Sequence, residues 1–453
     1  MRKHIRCGKL FTGLTDKAEK DQTIVVKDER IEFVGPTSAA PKAAPGEPVV
    51  DHSKHFVMPG LIDIHVHLSY GNCKTEEDID LYAPLEFRAL RGLEAAQRAL
   101  KAGFTSICDP ATSGLVSPSI RDAIEANLFV GPRVSASGPQ ITNRQGLTDW
   151  YPTWIGVPST AIGVLCKDAA EGIAEIRKEV KDGVDFIKIA MDGDAMNPMT
   201  TTVMAGYNQE EITAMTREAH RLGKKVVVHA RGDEATLYSA RAGVDVILHA
   251  SYMTERTLEE VVKCGAMLCP SYLLLVNDID FTRPGDGAYP GFPEAHKREL
   301  EAGSKIHTLG RKAGVKYLVG TDSGFAITPY GEWHAKELEI YVKYFGFSPA
   351  EAIKCATVNN GQFVRHAGQV GALENGRLAD ILVVDSDPLA DISVLQDRTK
   401  IREIFLGGET VTLEINPKAH RLRSEFSYQM WNEVYSQARI AELKHSGARQ
   451  AAE

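Results

Sequence analysis

Short apolar runs alternate with amphipathic segments along most of the chain. Runs such as FIKIA and KVVVHA have the length of buried strands, whereas residues 168–183 place apolar side chains at helical spacing. A strand followed by a helix, repeated many times, is typical of a parallel sheet covered by helices. Eight runs are predicted as such strands: residues 61–68, 105–109, 133–138, 186–190, 225–230, 246–250, 267–271 and 317–323. Eight strand–helix units predict a closed (β/α)8 barrel of the TIM type.

The two ends of the chain have a different pattern. Residues 1–57 contain short strands of alternating hydrophobicity separated by turn residues, and the same pattern returns in residues 376–412. Because a few short strands cannot bury a core alone, both ends are predicted to form one discontinuous β-sandwich domain. The predicted organisation is α/β, with three parts: a β-sandwich domain of residues 1–57 and 365–412, a barrel of residues 58–364, and a helical C-terminal tail of residues 413–453. We expect the tail to pack on the surface or at a subunit contact.

The composition limits the classes of partner and compartment. With 453 residues, 43% of them hydrophobic, the chain is long enough for a barrel and an accessory domain. The net charge of −8 and the pI near 6.0, without a basic patch, argue against a nucleic-acid partner. The seven cysteines are widely spaced and lack a CxxC pair, which indicates a reducing compartment. No apolar run is long enough to span a membrane and no secretion signal is visible, so we expect a cytoplasmic protein without membrane contact.

The segment VMPGLIDIHVHLS ends a predicted strand with two histidines, His65 and His67. Side chains two apart on a strand share a face, so both imidazoles can bind one metal ion. Such a pair also occurs by chance or in packing, and later residues decide between the two interpretations. Four further candidate ligands end other apolar runs: Lys188, His229, His249 and Asp322. The C-terminal ends of barrel strands converge on one site, so the six residues predict a metal centre there.

This ordered set, with each residue at a strand end, resembles the binuclear metal-dependent amidohydrolase superfamily. Within it, the chain is most similar to the branch of imidazolonepropionase-like hydrolases and Xaa-Pro-type dipeptidases. The resemblance covers most of the chain, because both ends also look like that superfamily's small β-domain. It implies two divalent ions with these ligands: His65, His67 and Asp322 for the more buried ion, His229 and His249 for the more exposed one, and carbamylated Lys188 for both. Zinc suits imidazole and carboxylate ligands best, with manganese, cobalt, nickel and iron as alternatives.

Lys188 has two interpretations. Within an apolar strand, desolvation lowers the pKa of a lysine and favours the neutral amine, which can take up carbon dioxide to form an anionic carbamate. The alternative is an ion pair with a buried acid such as Asp192, and the neighbouring ligands favour the carbamate. The resemblance implies a catalytic role for Asp322 as well, because a water that bridges two cations loses a proton near neutral pH. Asp322 would accept that proton and pass it to the departing nitrogen.

Several rim residues are candidates for catalysis or substrate binding. Tyr252 and Tyr272, near the ends of the sixth and seventh strands, could donate to a developing oxyanion, with core packing as the alternative. Arg231, two residues after His229, either binds an anion or closes a salt bridge. Aromatic residues of the rim loops predict a pocket for an aryl or aliphatic body. The three chosen as substrate contacts are Trp150, Trp154 and Phe325.

The remaining histidines are predicted to have no role as ligands. Most of them, among them His52, His296 and His307, lie in loops or polar helical segments and are expected at the surface. His334 lies just after the Asp322 loop and is intermediate, because it could line the pocket or cap a helix.

The substrate class rests on one missing motif. Dipeptidase-like relatives often carry a Gly-His pair in the loop after the third strand, whereas here Gly146 is followed by Leu147. We therefore predict a hydrolase that cleaves the C–N bond of an uncharged amide, urea or (thio)carbamate, such as an aryl urea or another xenobiotic. The alternatives are a dipeptidase or N-acyl amino acid hydrolase, a cyclic amidohydrolase, a deaminase, and a scaffold without catalysis. Lys188 counts against a deaminase, and the complete ligand set counts against a scaffold. A homo-oligomer is expected by analogy.

Overall fold

The computed structural model describes residues 2–194, 200–282, 291–415 and 434–450. The strands are β1 (Arg2–Leu10), β2 (Glu19–Lys27), β3 (Arg30–Pro36), β4 (Val49–Pro59), β5 (Leu61–Asp63), β6 (Phe104–Asp109), β7 (Arg133–Ala136), β8 (Gln140–Thr142), β9 (Gly163–Leu165), β10 (Phe186–Ala190), β11 (Lys225–Ala230), β12 (Val246–His249), β13 (Met267–Cys269), β14 (Ile381–Val384), β15 (Ile401–Leu406) and β16 (Glu409–Thr410). The helices are α1 (Glu76–Asp80), α2 (Leu85–Lys101), α3 (Val116–Glu125), α4 (Ala169–Lys181), α5 (Gln209–Arg221), α6 (Asp233–Ala242), α7 (Glu255–Cys264), α8 (Leu273–Phe281), α9 (Phe292–Lys312), α10 (Lys336–Phe345), α11 (Pro349–Lys354) and α12 (Gln437–Gln450).

Parallel strands in two sheets form the wall of a barrel. One sheet has three strands in the order β5-β6-β7, and the other has six in the order β13-β12-β11-β10-β8-β9. Residues 317–323 join the two sheets, because Tyr317 pairs with Leu268 and Ser323 pairs with Val66. Helices alternate with the strands and cover them, and apolar side chains from both fill the space between. The predicted fold class, an α/β barrel with a separate β-domain, is confirmed.

The eighth predicted strand, residues 317–323, is irregular, and the prediction of a regular strand there is wrong. Gly320 lies so close to the first strand that a Cβ atom at this position would be 2.5 Å from the Cβ of His65. Asp322 has a φ of 56°, in the left-handed region that breaks a strand. The backbone N–H of Asp322 still donates to the carbonyl of His65 over 2.7 Å. The irregular backbone therefore brings Asp322 beside the two histidines.

The two ends of the chain meet in one sheet of seven strands, in the order β16-β15-β14-β4-β1-β2-β3. β14 runs antiparallel to β4, with Leu382 opposite Met58, so the end of the chain extends a sheet that its beginning starts. Apolar residues such as Ile5, Val57 and Phe405 form a core of this sheet that is separate from the barrel core. The residue boundaries of the three predicted parts stay a prediction.

The C-terminal tail lies only partly within the described residues, because residues 416–433 and 451–453 of the predicted range 413–453 fall outside them. The described part comprises residues 413–415 and 434–450. Tyr435 and Gln437, at the start of the second of these ranges, contact the barrel. Across the described ranges, no helix has the length and apolar character needed to cross a membrane.

Candidate metal centre

Buried side chains from separate barrel strands meet at one end of the barrel. His65, His249 and Asp322 each offer a ligand atom, and these atoms lie within 4.8 Å of one another. The Nε2 atom of His67 lies 3.0 Å from the Oδ1 atom of Asp322 and 3.1 Å from the Nε2 atom of His65. The rings of His229 and His249 lie 4.8 Å apart, so His229 belongs to the same cluster. The structure thus brings together four histidines and one aspartate that are far apart in the sequence.

Backbone carbonyl groups fix which nitrogen of three histidines carries the proton. The Nδ1 atoms of His67 and His249 lie 3.2 Å and 3.1 Å from the carbonyl oxygens of Ala111 and Pro270. The Nε2 atom of His229 lies 2.9 Å from the carbonyl oxygen of Gly193. A carbonyl oxygen only accepts, so each of these nitrogens donates and the other nitrogen of the ring keeps its lone pair. Outer hydrogen bonds of this kind orient histidines that bind metals.

The protonation states of the cluster also fit a cation. Burial lowers the pKa values of His65, His229 and His249 well below the ordinary value, which keeps their imidazoles neutral as metal ligands must be. His67 differs, because the neighbouring carboxylates of Asp109 and Asp322 outweigh the effect of burial and raise its pKa to about 9. The space between His67 and Asp322 therefore favours a positive charge, whether a proton or a metal ion. This donor set fits a divalent ion with nitrogen and oxygen ligands.

Strained backbone holds the cluster in place. His249, Ser271 and Asp322 have φ values of 70°, 56° and 56°, which residues other than glycine rarely adopt. His249 ends β12, Ser271 follows β13, and Asp322 lies in the irregular segment of residues 317–323. Such conformations cost of order 1–3 kcal/mol each and concentrate at functional sites, where the surrounding structure enforces them.

Lys188 lies in the middle of β10 and lines the same cavity as the cluster. Its side chain is buried, and desolvation lowers its pKa to about 7. Asp192, the acid that sequence reasoning offered as its partner, is occupied elsewhere. Its carboxylate accepts the backbone N–H groups of Arg231 and Gly232, the latter over 2.7 Å. The structure therefore favours a lysine whose amine is neutral in a large fraction of molecules near neutral pH.

The cluster lines a cavity that opens to solvent. The side chains of Trp150 and Phe325 line it, as the sequence predicts. The indole N–H of Trp150 donates to the buried carboxylate of Asp80 over 2.9 Å, which fixes the ring. Much of the wall is apolar, and its larger apolar members are Tyr70, Ile79, Leu147, Trp150, Leu274, Phe292, Phe325, Ile327 and Tyr435. A cavity of this kind suits an aryl or aliphatic body beside one polar bond.

Three predicted site residues do not line this cavity: Tyr252 and Tyr272, predicted as catalytic, and Trp154, predicted as a substrate contact. Trp154 is 83% exposed and is not part of the cavity lining. The ring of Tyr272 packs against His307 and Phe345, and its hydroxyl group faces Gly303 of α9, so it belongs to the core. Tyr252 is half-buried and also lies outside the lining of the cavity. The predicted oxyanion role of the two tyrosines is not supported by these positions, and core packing, the alternative, describes Tyr272.

Arg231 closes a salt bridge, one of the two interpretations given to it, and anion binding by Arg231 stays a prediction. It lines the cavity, and its guanidinium group forms a buried salt bridge with Glu299 of α9. Glu299 also accepts a hydrogen bond from the hydroxyl group of Ser251 over 2.6 Å. Although burial opposes it, Glu299 raises the pKa of Arg231 above its ordinary value. The positive charge at this wall is thus balanced within the protein.

Several buried polar residues were missed by the sequence analysis. The predictions that His52, His296 and His307 lie at the surface are wrong, because each is buried and has a hydrogen-bond partner. His296 binds Asp278, which lines the cavity, over 2.7 Å. His334 is also buried and binds Asp63 behind the cluster. Their partners are far away in the sequence, so no local pattern identifies them.

Replacing Ser271 with alanine is expected to weaken metal binding by about 10- to 100-fold, which is the usual cost of losing a partner of a metal-binding histidine. The Oγ atom of Ser271 lies 2.9 Å from the Nδ1 atom of His65 and orients that ring. Metal affinity can be measured by competition with a chelating dye. Ser393→Ala is a suitable control, because Ser393 is exposed in the other domain. Equal affinity in wild type and Ser271→Ala would contradict a role for Ser271 in orienting His65.

Comparisons with known proteins agree with this geometry. Residues 56–411 match the model of the family described as the amidohydrolase family. Ochratoxinase from Aspergillus niger is 28% identical over 411 residues, which cover 86% of this chain and 82% of that protein. Imidazolonepropionase from Sphingopyxis alaskensis is 25% identical over 404 residues, which cover 83% of this chain and 88% of that protein.

A solved structure extends the comparison to the whole fold. The crystal structure of a Xaa-Pro dipeptidase with methionine bound in its active site superposes with a TM-score of 0.80. It is 26% identical and covers 91% of this chain and 100% of that one. The resemblance to imidazolonepropionase-like and dipeptidase-like proteins is thereby confirmed. With most of its length matched, the chain belongs to the amidohydrolase family and is a hydrolase that acts on carbon–nitrogen bonds.

Proposed function

We propose that the chain is a binuclear metal-dependent hydrolase that cleaves the C–N bond of an uncharged amide, urea or carbamate. The proposal rests on the combination of the histidine cluster and the cavity around it. Backbone carbonyl groups fix the tautomers of the histidines, and the cluster lines a largely apolar cavity. In that cavity Glu299 balances the charge of Arg231. A substrate carboxylate would have to compete with Glu299 for that arginine, and the desolvation cost would fall on the substrate. An uncharged amide, urea or carbamate meets no such cost.

The residues of the cluster divide into ligands and a base. His65, His67 and Asp322 would hold one ion, His229 and His249 a second, and Lys188, as its carbamate, both. When bound, the ions would supply a water that is acidic near neutral pH and a Lewis acid for the scissile carbonyl. Although burial opposes it, His65 and His67 hold the pKa of Asp322 well below its usual range.

Asp322 is therefore a carboxylate throughout the neutral range and has an oxygen free to accept a proton from the attacking water. It stands at the rim, where it can pass that proton to the leaving nitrogen. The apolar wall around Phe325 and Trp150 would hold the body of the substrate, which would displace water from the site of this exchange.

Acidic and basic side chains both line the cavity. The acidic ones are Glu76, Asp194, Asp278 and Asp322, and the basic ones are Lys74, Lys188 and Arg231. The lining thus has no excess of cationic side chains that would favour a substrate carboxylate. The absence of a Gly-His pair at Gly146 and Leu147 points the same way.

An N-acyl amino acid or dipeptide hydrolase is the second candidate. Ochratoxinase and the Xaa-Pro dipeptidase are the relatives that favour it. Arg231 lines the cavity and would bind a substrate carboxylate if its salt bridge with Glu299 opened. The two candidates differ in one chemical group of the substrate, so a matched pair of compounds separates them.

The decisive experiment compares N-benzoylphenylalanine with N-benzoylphenethylamine, which differ only in the carboxylate. The protein is reconstituted with zinc or manganese, and kcat/KM is measured from release of the amine. A preference of about tenfold or more for the uncharged compound, together with turnover of a matched aryl urea, supports the proposal. Preference for N-benzoylphenylalanine would overturn it in favour of the second candidate.

Glu299→Gln tests the physical basis of this selectivity. The variant removes the negative charge that balances Arg231 but keeps the shape of the side chain. We expect relative kcat/KM for the carboxylate compound to rise by about tenfold or more. Glu301→Gln on the same helix is the matched control, because Glu301 is exposed. An unchanged ratio in Glu299→Gln would show that Arg231 does not read this part of the substrate.

A further inference from the structure

The segment that begins at Val434 is bound to the loop that follows Asp322. The backbone N–H of Tyr435 donates to the carbonyl of Ala326 over 2.8 Å, and the indole N–H of Trp333 donates to the carbonyl of Tyr435 over 2.6 Å. The side-chain amide of Gln437 donates to the carbonyl of Glu332 over 2.5 Å. Both backbone polar groups of Tyr435 are thus satisfied by the barrel, 102 residues after Trp333.

The side chain of Tyr435 reaches the cavity that contains the metal cluster. Only 6% of the residue is exposed, and it lines the cavity together with Phe325, Ala326 and Ile327. The guanidinium group of Arg439, in the first turn of α12, lies 5.0 Å from the centre of the tyrosine ring. A cation at this distance from the face of an aromatic ring is attracted to the ring and helps to hold it in place. The ring position is therefore set from two sides, by the backbone and by α12.

We propose that Tyr435 is a specificity-determining residue: the C-terminal segment completes the wall of the substrate cavity, and the ring limits the length of the apolar body that fits there. The proposal rests on the proposed function for the nature of the substrate. The segment lies outside both the barrel and the β-domain, so its docking adds a wall that the barrel loops alone do not supply. A buried aromatic ring at a cavity wall occupies space that becomes available to a ligand only when a smaller side chain replaces the ring.

The test uses binding rather than turnover. The probes are 4-alkylbenzohydroxamates with alkyl chains of increasing length, which chelate divalent ions through the hydroxamate and extend the alkyl chain along the cavity. Dissociation constants for the zinc-reconstituted full chain are measured by quenching of tryptophan fluorescence, which Trp150 in the cavity wall makes sensitive to binding. For the wild type, affinity is expected to rise with chain length and then to fall once the chain meets the ring.

Two substitutions move this limit in opposite directions. Tyr435→Ala should shift the limit to longer chains and strengthen binding of the first excluded member by about tenfold, whereas Tyr435→Trp should shift it to shorter chains. Lys444→Ala is the matched control, because Lys444 lies on the same helix and is exposed. Zinc content is measured for each variant and is expected to stay unchanged, since Tyr435 is not a ligand.

The outcomes separate this proposal from the function. A length limit that is the same in wild type, Tyr435→Ala and Tyr435→Trp would overturn the role of Tyr435, and so would a wild type that binds no member of the series. If the limit shifts but neither the amides nor the ureas are hydrolysed, the proposed function fails and the role of Tyr435 in the cavity stands.

Discussion

Lys188→Ala is expected to lose at least one of two bound ions and to reduce kcat/KM by about 1000-fold or more. The lysine is buried beside the cluster, and its lowered pKa of about 7 leaves much of its amine neutral and able to take up carbon dioxide. Alanine removes the anionic bridge that we propose between the ions. A reduction of that size in kcat/KM corresponds to the loss of several kcal/mol of transition-state stabilisation. Metal content by elemental analysis and amine release measure the two effects.

A second lysine of the barrel wall provides the control. Lys225 is the first residue of β11, at the opposite end of that strand from His229, and its amine donates to the carbonyl of Gln362. Lys225→Ala should keep both ions and its activity. Reconstitution of the wild type with zinc should also be slower without bicarbonate, because the carbamate forms from carbon dioxide. Unchanged metal content in Lys188→Ala would refute the bridging carbamate.

The parts of this molecule that sequence reasoning predicts are those that local patterns encode. Apolar runs end at His229 and His249 because strands of a barrel end at one rim. Alternation predicts His65 and His67 on one face of a strand, and their side chains do meet, although β5 ends at Asp63 and both histidines follow it. The fold class follows from the same alternation of runs. Asp322 also follows from its position after an apolar run, although the strand before it is irregular.

The parts that the sequence does not reveal depend on long-range contacts and backbone angles. Ser271 has a positive φ, and the chain turns so that Tyr272, the next residue, points into the core against Gly303. A strand-end pattern cannot show that turn. His296 and Tyr435 are placed by partners distant in the sequence, and neither has a periodic neighbour that would mark it as part of the cavity.

Asp322→Asn is expected to reduce kcat by about 100- to 10,000-fold, the range typical of losing a general acid–base group. Asparagine keeps the size of the side chain and one oxygen that can act as a ligand, but it cannot take a proton from water and deliver it to nitrogen. The loss should therefore be smallest for substrates that release a weakly basic amine, such as 4-nitroaniline, since that nitrogen needs little protonation to depart. Rates for a series of anilides and alkyl amides measure this dependence at a fixed metal content.

A second carboxylate of the same cavity distinguishes proton transfer from a general effect of charge. Asp278 lines the cavity, and its carboxylate is bound to His296 over 2.7 Å rather than to the cluster. Asp278→Asn should alter KM and leave kcat within about tenfold, because the change affects binding alone. If Asp322→Asn lowered kcat equally for anilides and alkyl amides, Asp322 would not protonate the leaving nitrogen. Its effect would then come from metal binding alone.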